Sequence, residues 1–169
     1  MRKSSVETKK LIIISKSPKD TRSIGRSLGD ILRANDILCL YGDLGSGKTC
    51  LTQGIAHGLG ILEEEYVRSS TFVLFNEYRG GRIPLYHFDF FRIDKLDEII
   101  DIGFEEYINN NGITVIEWAD KFPGILPEKR LDIELLIDNL NTRKILISIP
   151  HPDKRYNNIF MSLKKSPRI

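Results

Sequence analysis

One run, Gly42-Asp43-Leu44-Gly45-Ser46-Gly47-Lys48-Thr49, constrains this chain more than any other feature. It satisfies the pattern G-x-x-x-x-G-K-[ST] in full, and its flanks are those the pattern needs. The apolar run Ile37 to Tyr41 before it reads as a strand buried on both faces. Leu51, Ile55 and Leu59 after it recur at helical spacing, and Gly60 supplies a stop. A strand, a glycine-rich loop and a helix in that order make a phosphate cradle. Glycines let the backbone turn with its amides inward and leave no side chain in the way. The helix aims its N-terminal dipole and free amides at the same point. Lys48 neutralises β- and γ-phosphate charge, and the Thr49 hydroxyl ligates Mg²⁺. Asp43, Leu44, Gly45, Ser46, Gly47, Lys48 and Thr49 are therefore the expected ATP-binding set.

The chain has 169 residues, about one domain's worth. With 41% hydrophobic and 28% charged residues, wholesale disorder and low-complexity architectures are excluded. No apolar run is long enough to cross a bilayer. Leu11 to Ile14 is too short for a secretory signal and is followed closely by Lys16. Two isolated cysteines, Cys39 and Cys50, suit a reducing compartment, and the cytoplasm is the expected location. Charge is uneven: residues 1–10 and 150–169 are basic, and the body between them is mildly acidic. The expected organisation is a basic N-terminal extension (1–10), an ATPase domain (11–149) and a basic C-terminal tail (150–169). The two ends are expected to be solvated, mobile termini.

Residues 11–15 read as a strand and 18–34 as an amphipathic helix capped by Ser17, Pro18 and Asp20. Residues 72–79 and 82–89 read as a hairpin turning on Gly80-Gly81. Pro84 argues for an edge position or a local irregularity in its second strand. Residues 95–109 read as short helices broken near Gly103, 113–117 as a buried strand, and 131–137 with 143–149 as a second hairpin. Buried parallel-type strands mixed with hairpins predict an α/β sandwich of P-loop type around a mixed parallel and antiparallel sheet. Strand order is not readable from one sequence.

Nucleotide hydrolysis needs an acidic group near the metal, usually at the end of a neighbouring strand. Glu117 ends Ile113 to Ile116, and Asp89 ends Leu85 to Phe88, so both qualify. Ser69-Ser70-Thr71 is hydroxyl-rich, as a γ-phosphate-sensing loop would be, but ordinary loop polarity is the reading the residues alone favour. His87 stands two residues from Asp89, either orienting that carboxylate or satisfied within the core. Trp118 and the alternating Phe72, Phe75, Tyr86, Phe88, Phe90 and Phe91 read first as packing residues.

GDLGSGKT, SSTFVLFNEY, PLYHFDFFRI, IEWAD and ILPE follow one another in the order and spacing of one family. The chain resembles the bacterial TsaE/YjeE family, the small ATPase of tRNA threonylcarbamoyladenosine biosynthesis, over residues 11–149. The resemblance implies a compact P-loop fold that binds ATP and Mg²⁺, with Lys48 and Thr49 on phosphate and metal. It implies that Glu117 is the metal-side acid, that Asp89 serves hydrolysis, and that Trp118 matters beside Glu117. It puts Thr71 in a switch-like loop and Thr21 near the base. It implies as partners the tRNA threonylcarbamoyltransferase subunit and its paralogous companion, through which tRNA is reached, and turnover that is weak without them. Ser70 stands where the family usually has proline, Phe91 where it has tyrosine, and Cys50 where threonine is common. A small-molecule P-loop kinase is the alternative reading, but no arginine-rich lid is evident in the sequence. Direct RNA contact through the basic ends is a third.

Overall fold

The apolar runs of the sequence become the centre of a mixed sheet in the computed structural model, which describes residues 10–62 and 74–166. In chain order the strands are β1 (Lys10–Ser15), β2 (Ile37–Tyr41), β3 (Phe75–Tyr78), β4 (Leu85–Asp89), β5 (Ile113–Glu117), β6 (Leu131–Ile137) and β7 (Arg143–Ser148). The helices are α1 (Pro18–Ile31), α2 (Lys48–Gly58), α3 (Leu96–Asp101), α4 (Phe104–Tyr107) and α5 (Lys154–Lys165). Across the sheet the order is β1-β7-β6-β2-β5-β4-β3. The strands β6, β2, β5 and β4 run parallel, while β7 and β3 are antiparallel to their neighbours. The expected mixed α/β sandwich is the observed one.

Alternation sorts the side chains into two layers. Leu38, Leu40, Val115 and Ile133 pack with Leu28, Leu51, Ile55 and Ile159 from α1, α2 and α5. Cys39, Phe88 and Ile116 pack on the other face with Phe90, Ile99 and Phe104. The same alternation turns His87 and Asp89 toward the α2 side, along with Leu85, and leaves Tyr86 and Phe88 in the aromatic layer.

Close backbone contact fixes α2 against α1. A Cβ on Gly25 would lie 2.3 Å from the Leu51 carbonyl oxygen, and one on Gly54 would lie 2.2 Å from that of Arg22. Neither contact is compatible with a side chain, so the glycines set the depth of the helix that begins at Lys48.

Four expectations change. The first helix ends at Ile31 rather than 34. Leu32 is extended there, and the buried Asp36 folds back to accept from the Arg33 amide at 2.7 Å. The first hairpin has a loop of residues 79–84, since Tyr78 pairs with Leu85, so Gly80-Gly81 is not a two-residue turn. That loop is held to the end of α2 by Arg82, whose amide donates to the Leu59 carbonyl at 2.8 Å. Pro84 precedes β4, which is an interior strand, so its missing amide interrupts no ladder. Finally, the basic segment after Pro150 is not a mobile terminus between Lys154 and Lys165. It forms α5, capped by Asp153, with Tyr156, Ile159, Phe160 and Leu163 buried against the core. The Tyr156 hydroxyl accepts from the Ile37 amide at 2.9 Å, and Arg155 is ion-paired with Asp36.

Candidate active site

β2 delivers the chain into a loop whose glycines take backbone angles closed to most side chains. Gly42, Gly45 and Gly47 have φ of 129°, 77° and 105°, and Gly47 sits at the N-cap of α2. The loop is braced from behind by a residue that sequence reasoning missed. Arg143 of β7 donates from Nε to the Ser46 carbonyl and from a terminal nitrogen to the Gly45 carbonyl, each at 3.1 Å. These contacts fix the two peptide planes from the β7 side, and within the loop the Ser46 amide donates to the Asp43 carbonyl at 3.1 Å. No motif encodes this, because the two segments are 97 residues apart. Ser46 is fully buried, and its hydroxyl has no partner among the described residues. Leu44, at the tip, is 73% exposed.

Lys48 is 5% exposed. Its ammonium donates to the carbonyls of Gly42 at 2.6 Å and Asp43 at 2.9 Å. It also lies 3.8 Å from the centre of the Trp118 ring, within cation–π range. Burial pulls the amine below its ordinary pKa, against the opposing pull of Glu117 and Asp89. Trp118 reaches this position through a left-handed backbone, φ 57°, and packs against Phe91 with ring centres 4.8 Å apart and planes tilted by 37°. A left-handed tryptophan is costly, and such strain concentrates at functional sites.

Glu117 and Asp89 are opposite each other on adjacent parallel strands. Glu117 is 1% exposed and fully engaged. Its Oε2 accepts from the Thr49 hydroxyl at 3.0 Å, and its Oε1 accepts from Thr52 at 3.0 Å and from His87 Nε2 at 2.9 Å. Burial alone would raise its pKa, but the donors from His87, Thr49 and Thr52 outweigh it and hold the carboxyl below its ordinary range. Asp89 moves the other way. Burial raises it, aided by the Glu117 charge, and one amide, from Phe91 at 3.0 Å to Oδ1, only partly compensates. The two environments push the carboxyls apart, Glu117 toward its ionised form and Asp89 toward its protonated form. His87 therefore bonds to Glu117, not to Asp89.

A cavity of about 280 Å³ joins these groups, lined by Gly47, Lys48, Thr49, Asp89, Glu117 and Trp118. Thr21 does not line it. Thr21 is buried behind Gly47, and its hydroxyl is 2.7 Å from that of Ser15. Thr71 and its serine neighbours lie outside the described residues.

The raised Asp89 carboxyl has a measurable consequence. Folding favours its protonated form, so the ionised group costs stability once pH rises through its folded pKa. Asp89→Asn, which can still accept from the Phe91 amide, is expected to melt above wild type at neutral pH, with the gap closing below the ordinary carboxylate range of 3.8. Thermal melts across pH check this, and a variant no more stable than wild type at pH 7 contradicts it.

A glycine loop opening onto a helix N-terminus, with a buried lysine, a helical threonine hydroxyl and a strand-end carboxylate around one cavity, defines an α/β protein of the P-loop NTPase type. Residues 15–145 match the family model described as threonylcarbamoyl adenosine biosynthesis protein TsaE. The chain belongs to the TsaE family. It is 41% identical over 117 residues to the Bacillus subtilis tRNA threonylcarbamoyladenosine biosynthesis protein TsaE, covering 69% of this chain and 72% of that one. It is 38% identical over 135 residues to the Treponema pallidum protein of the same name, covering 80% of this chain and 98% of the relative. Among solved structures, the crystal structure of Bacillus subtilis YdiB superimposes with a TM-score of 0.80 at 32% identity, over 95% of this chain and 98% of that one.

Proposed function

We propose that this protein is a magnesium-dependent ATPase that serves the installation of threonylcarbamoyl on the anticodon-adjacent adenosine of tRNA. The approach of Thr49 Oγ1 to Glu117 Oε2, 3.0 Å apart at the mouth of the glycine loop, carries the reading. A hydroxyl and an ionised carboxylate are the hard oxygen donors that Mg²⁺ takes when phosphates complete its shell. The glycine loop, whose Gly45 and Gly47 line one cavity with Lys48 and Thr49, fits a polyphosphate.

Lys48 binds phosphate, and Trp118 shelves its ammonium beside the cavity. Thr49 and Glu117 hold the cation. When bound, MgATP supplies a cleavable anhydride whose charge the cation spreads. Phe91 bonds to Asp89 Oδ1, which leaves Oδ2 to take a proton from the attacking water. Phe91 and Trp118 together form an aromatic wall at that edge of the cavity. We assign the transferase subunit and its paralogous companion as partners, with tRNA contacted through them. The cytoplasm is the compartment that suits the free thiols Cys39 and Cys50. Among the described residues, no helix is long and apolar enough to cross a membrane.

The deciding experiment is affinity capture from a bacterial lysate in ATP and in ADP. Retention of the transferase pair in ATP with release in ADP is expected. Equal capture in both nucleotides, or capture of neither subunit, overturns the assignment.

A further inference from the structure

We infer that His87 and Thr52 are positioning residues that fix which oxygen of Glu117 faces the cation, an inference that rests on the MgATP reading. A glutamate side chain has three rotatable bonds, and its two carboxylate oxygens are chemically equivalent until neighbours distinguish them. Here they are distinguished completely. Oε1 is held from the sheet by His87 Nε2 at 2.9 Å and from α2 by the Thr52 hydroxyl at 3.0 Å. Oε2 has Thr49 alone, at 3.0 Å, on the cavity side. Pinning one oxygen from two elements leaves the other aimed at the position that Thr49 shares.

The two pins are unequal. A threonine hydroxyl carries one proton, and Thr52 also lies 3.1 Å from the Lys48 carbonyl, the acceptor one helical turn back. Its proton is divided between two acceptors. His87 has no such competitor: Nε2 faces Glu117, and Nδ1 has no hydrogen-bond partner among the described residues. The tautomer follows, with the proton on Nε2 donated to the ionised carboxylate.

His87 is wholly buried, with one ring nitrogen left unsatisfied. Burying an unpaired acceptor is unfavourable, and a leucine would fill the same space without that cost. The imidazole is explained by the hydrogen bond it directs at Glu117, as outer-shell donors orient carboxylate ligands elsewhere.

The test is a magnesium titration of the protein saturated with a non-hydrolysable ATP analogue. It is read by the fluorescence of Trp118, the only tryptophan of the chain. His87→Leu is expected to raise the magnesium concentration for half-saturation by about tenfold or more, in line with outer-shell substitutions at other metal sites. Its affinity for the analogue in EDTA should be unchanged. Thr52→Val should shift the magnesium response in the same direction but less. His87→Gln, whose amide reaches toward Oε1, should restore most of the loss. A wild-type magnesium response in His87→Leu overturns the inference, as does a His87→Gln protein as impaired as His87→Leu. If His87→Leu does not fold, Thr52→Val decides, and an unshifted response there is also disproof. A wild-type protein indifferent to magnesium would instead overturn the MgATP reading itself.

Discussion

Lys48→Ala is expected to weaken ATP binding at least about 100-fold, roughly 2.7 kcal/mol, without lowering the melting temperature at neutral pH. The two halves of that expectation have one cause. Lys48 is 5% exposed, and its ammonium is held by two carbonyls and an aromatic face, none of which carries a full negative charge. Burial therefore pulls its pKa down even with Glu117 and Asp89 nearby. A base whose folded pKa lies below its ordinary value is less stably charged in the fold than in the unfolded chain. Alanine removes that penalty together with the charge. Burial thus weighs against the charged lysine in the fold, and a ligand's negative charge would offset that desolvation. Calorimetry with MgATP and a thermal melt of the same variant check both halves. Undiminished binding removes the cradle from the account, and a large fall in melting temperature would mark Lys48 as structural.

The cradle was legible because it is local. Eight consecutive residues carry it, and the strand and helix on either side have their own periodicities. The strand-end acids were legible for the same reason: Asp89 and Glu117 each close an apolar run. Contacts between distant segments were not. Arg143 supports the Gly45 and Ser46 carbonyls from a strand that the sheet order brings near, and that order is invisible in one sequence. His87 sits two residues from Asp89, and proximity along the chain suggested that partner. The strand register instead places it opposite Val115, within reach of Glu117 on the same face. The C-terminal segment misled through composition. Its basic residues suggest a solvated tail, yet Tyr156, Ile159, Phe160 and Leu163 are spaced for one face of a helix. That amphipathic spacing was present in the sequence and was outweighed by the charge. The first hairpin failed for another reason: Gly80-Gly81 is a strong local turn signal, but Arg82 and Gly81 are engaged by the end of α2, and a tertiary contact overrode it.

Glu117 gives the second large effect, because two substitutions there separate charge from packing. Glu117→Gln preserves the acceptor at Oε1 for His87 and Thr52 and presents an amide to Thr49, so the fold should survive. The full negative charge at the cation is lost, and hydrolysis should fall by about 100-fold to 1,000-fold, the scale of removing one preorganised electrostatic contact. ATP binding in EDTA should persist, since Lys48 and the loop amides are untouched. Glu117→Ala also leaves the buried His87 N–H without its acceptor, which costs about 1–3 kcal/mol beyond the lost charge. It should therefore melt well below the glutamine variant. The pH dependence carries a sign of its own. The Glu117 carboxyl lies below its ordinary value of 4.5, so its contribution is complete above that value and is lost as acid protonates it in the fold. Asp89 has the opposite sign, so acid should cost wild type more stability than it costs Glu117→Gln, and less than it costs Asp89→Asn. Stability curves for the three proteins across the acid range settle the ordering. A Glu117→Gln protein that hydrolyses ATP at the wild-type rate would show that the buried carboxylate is an element of packing alone.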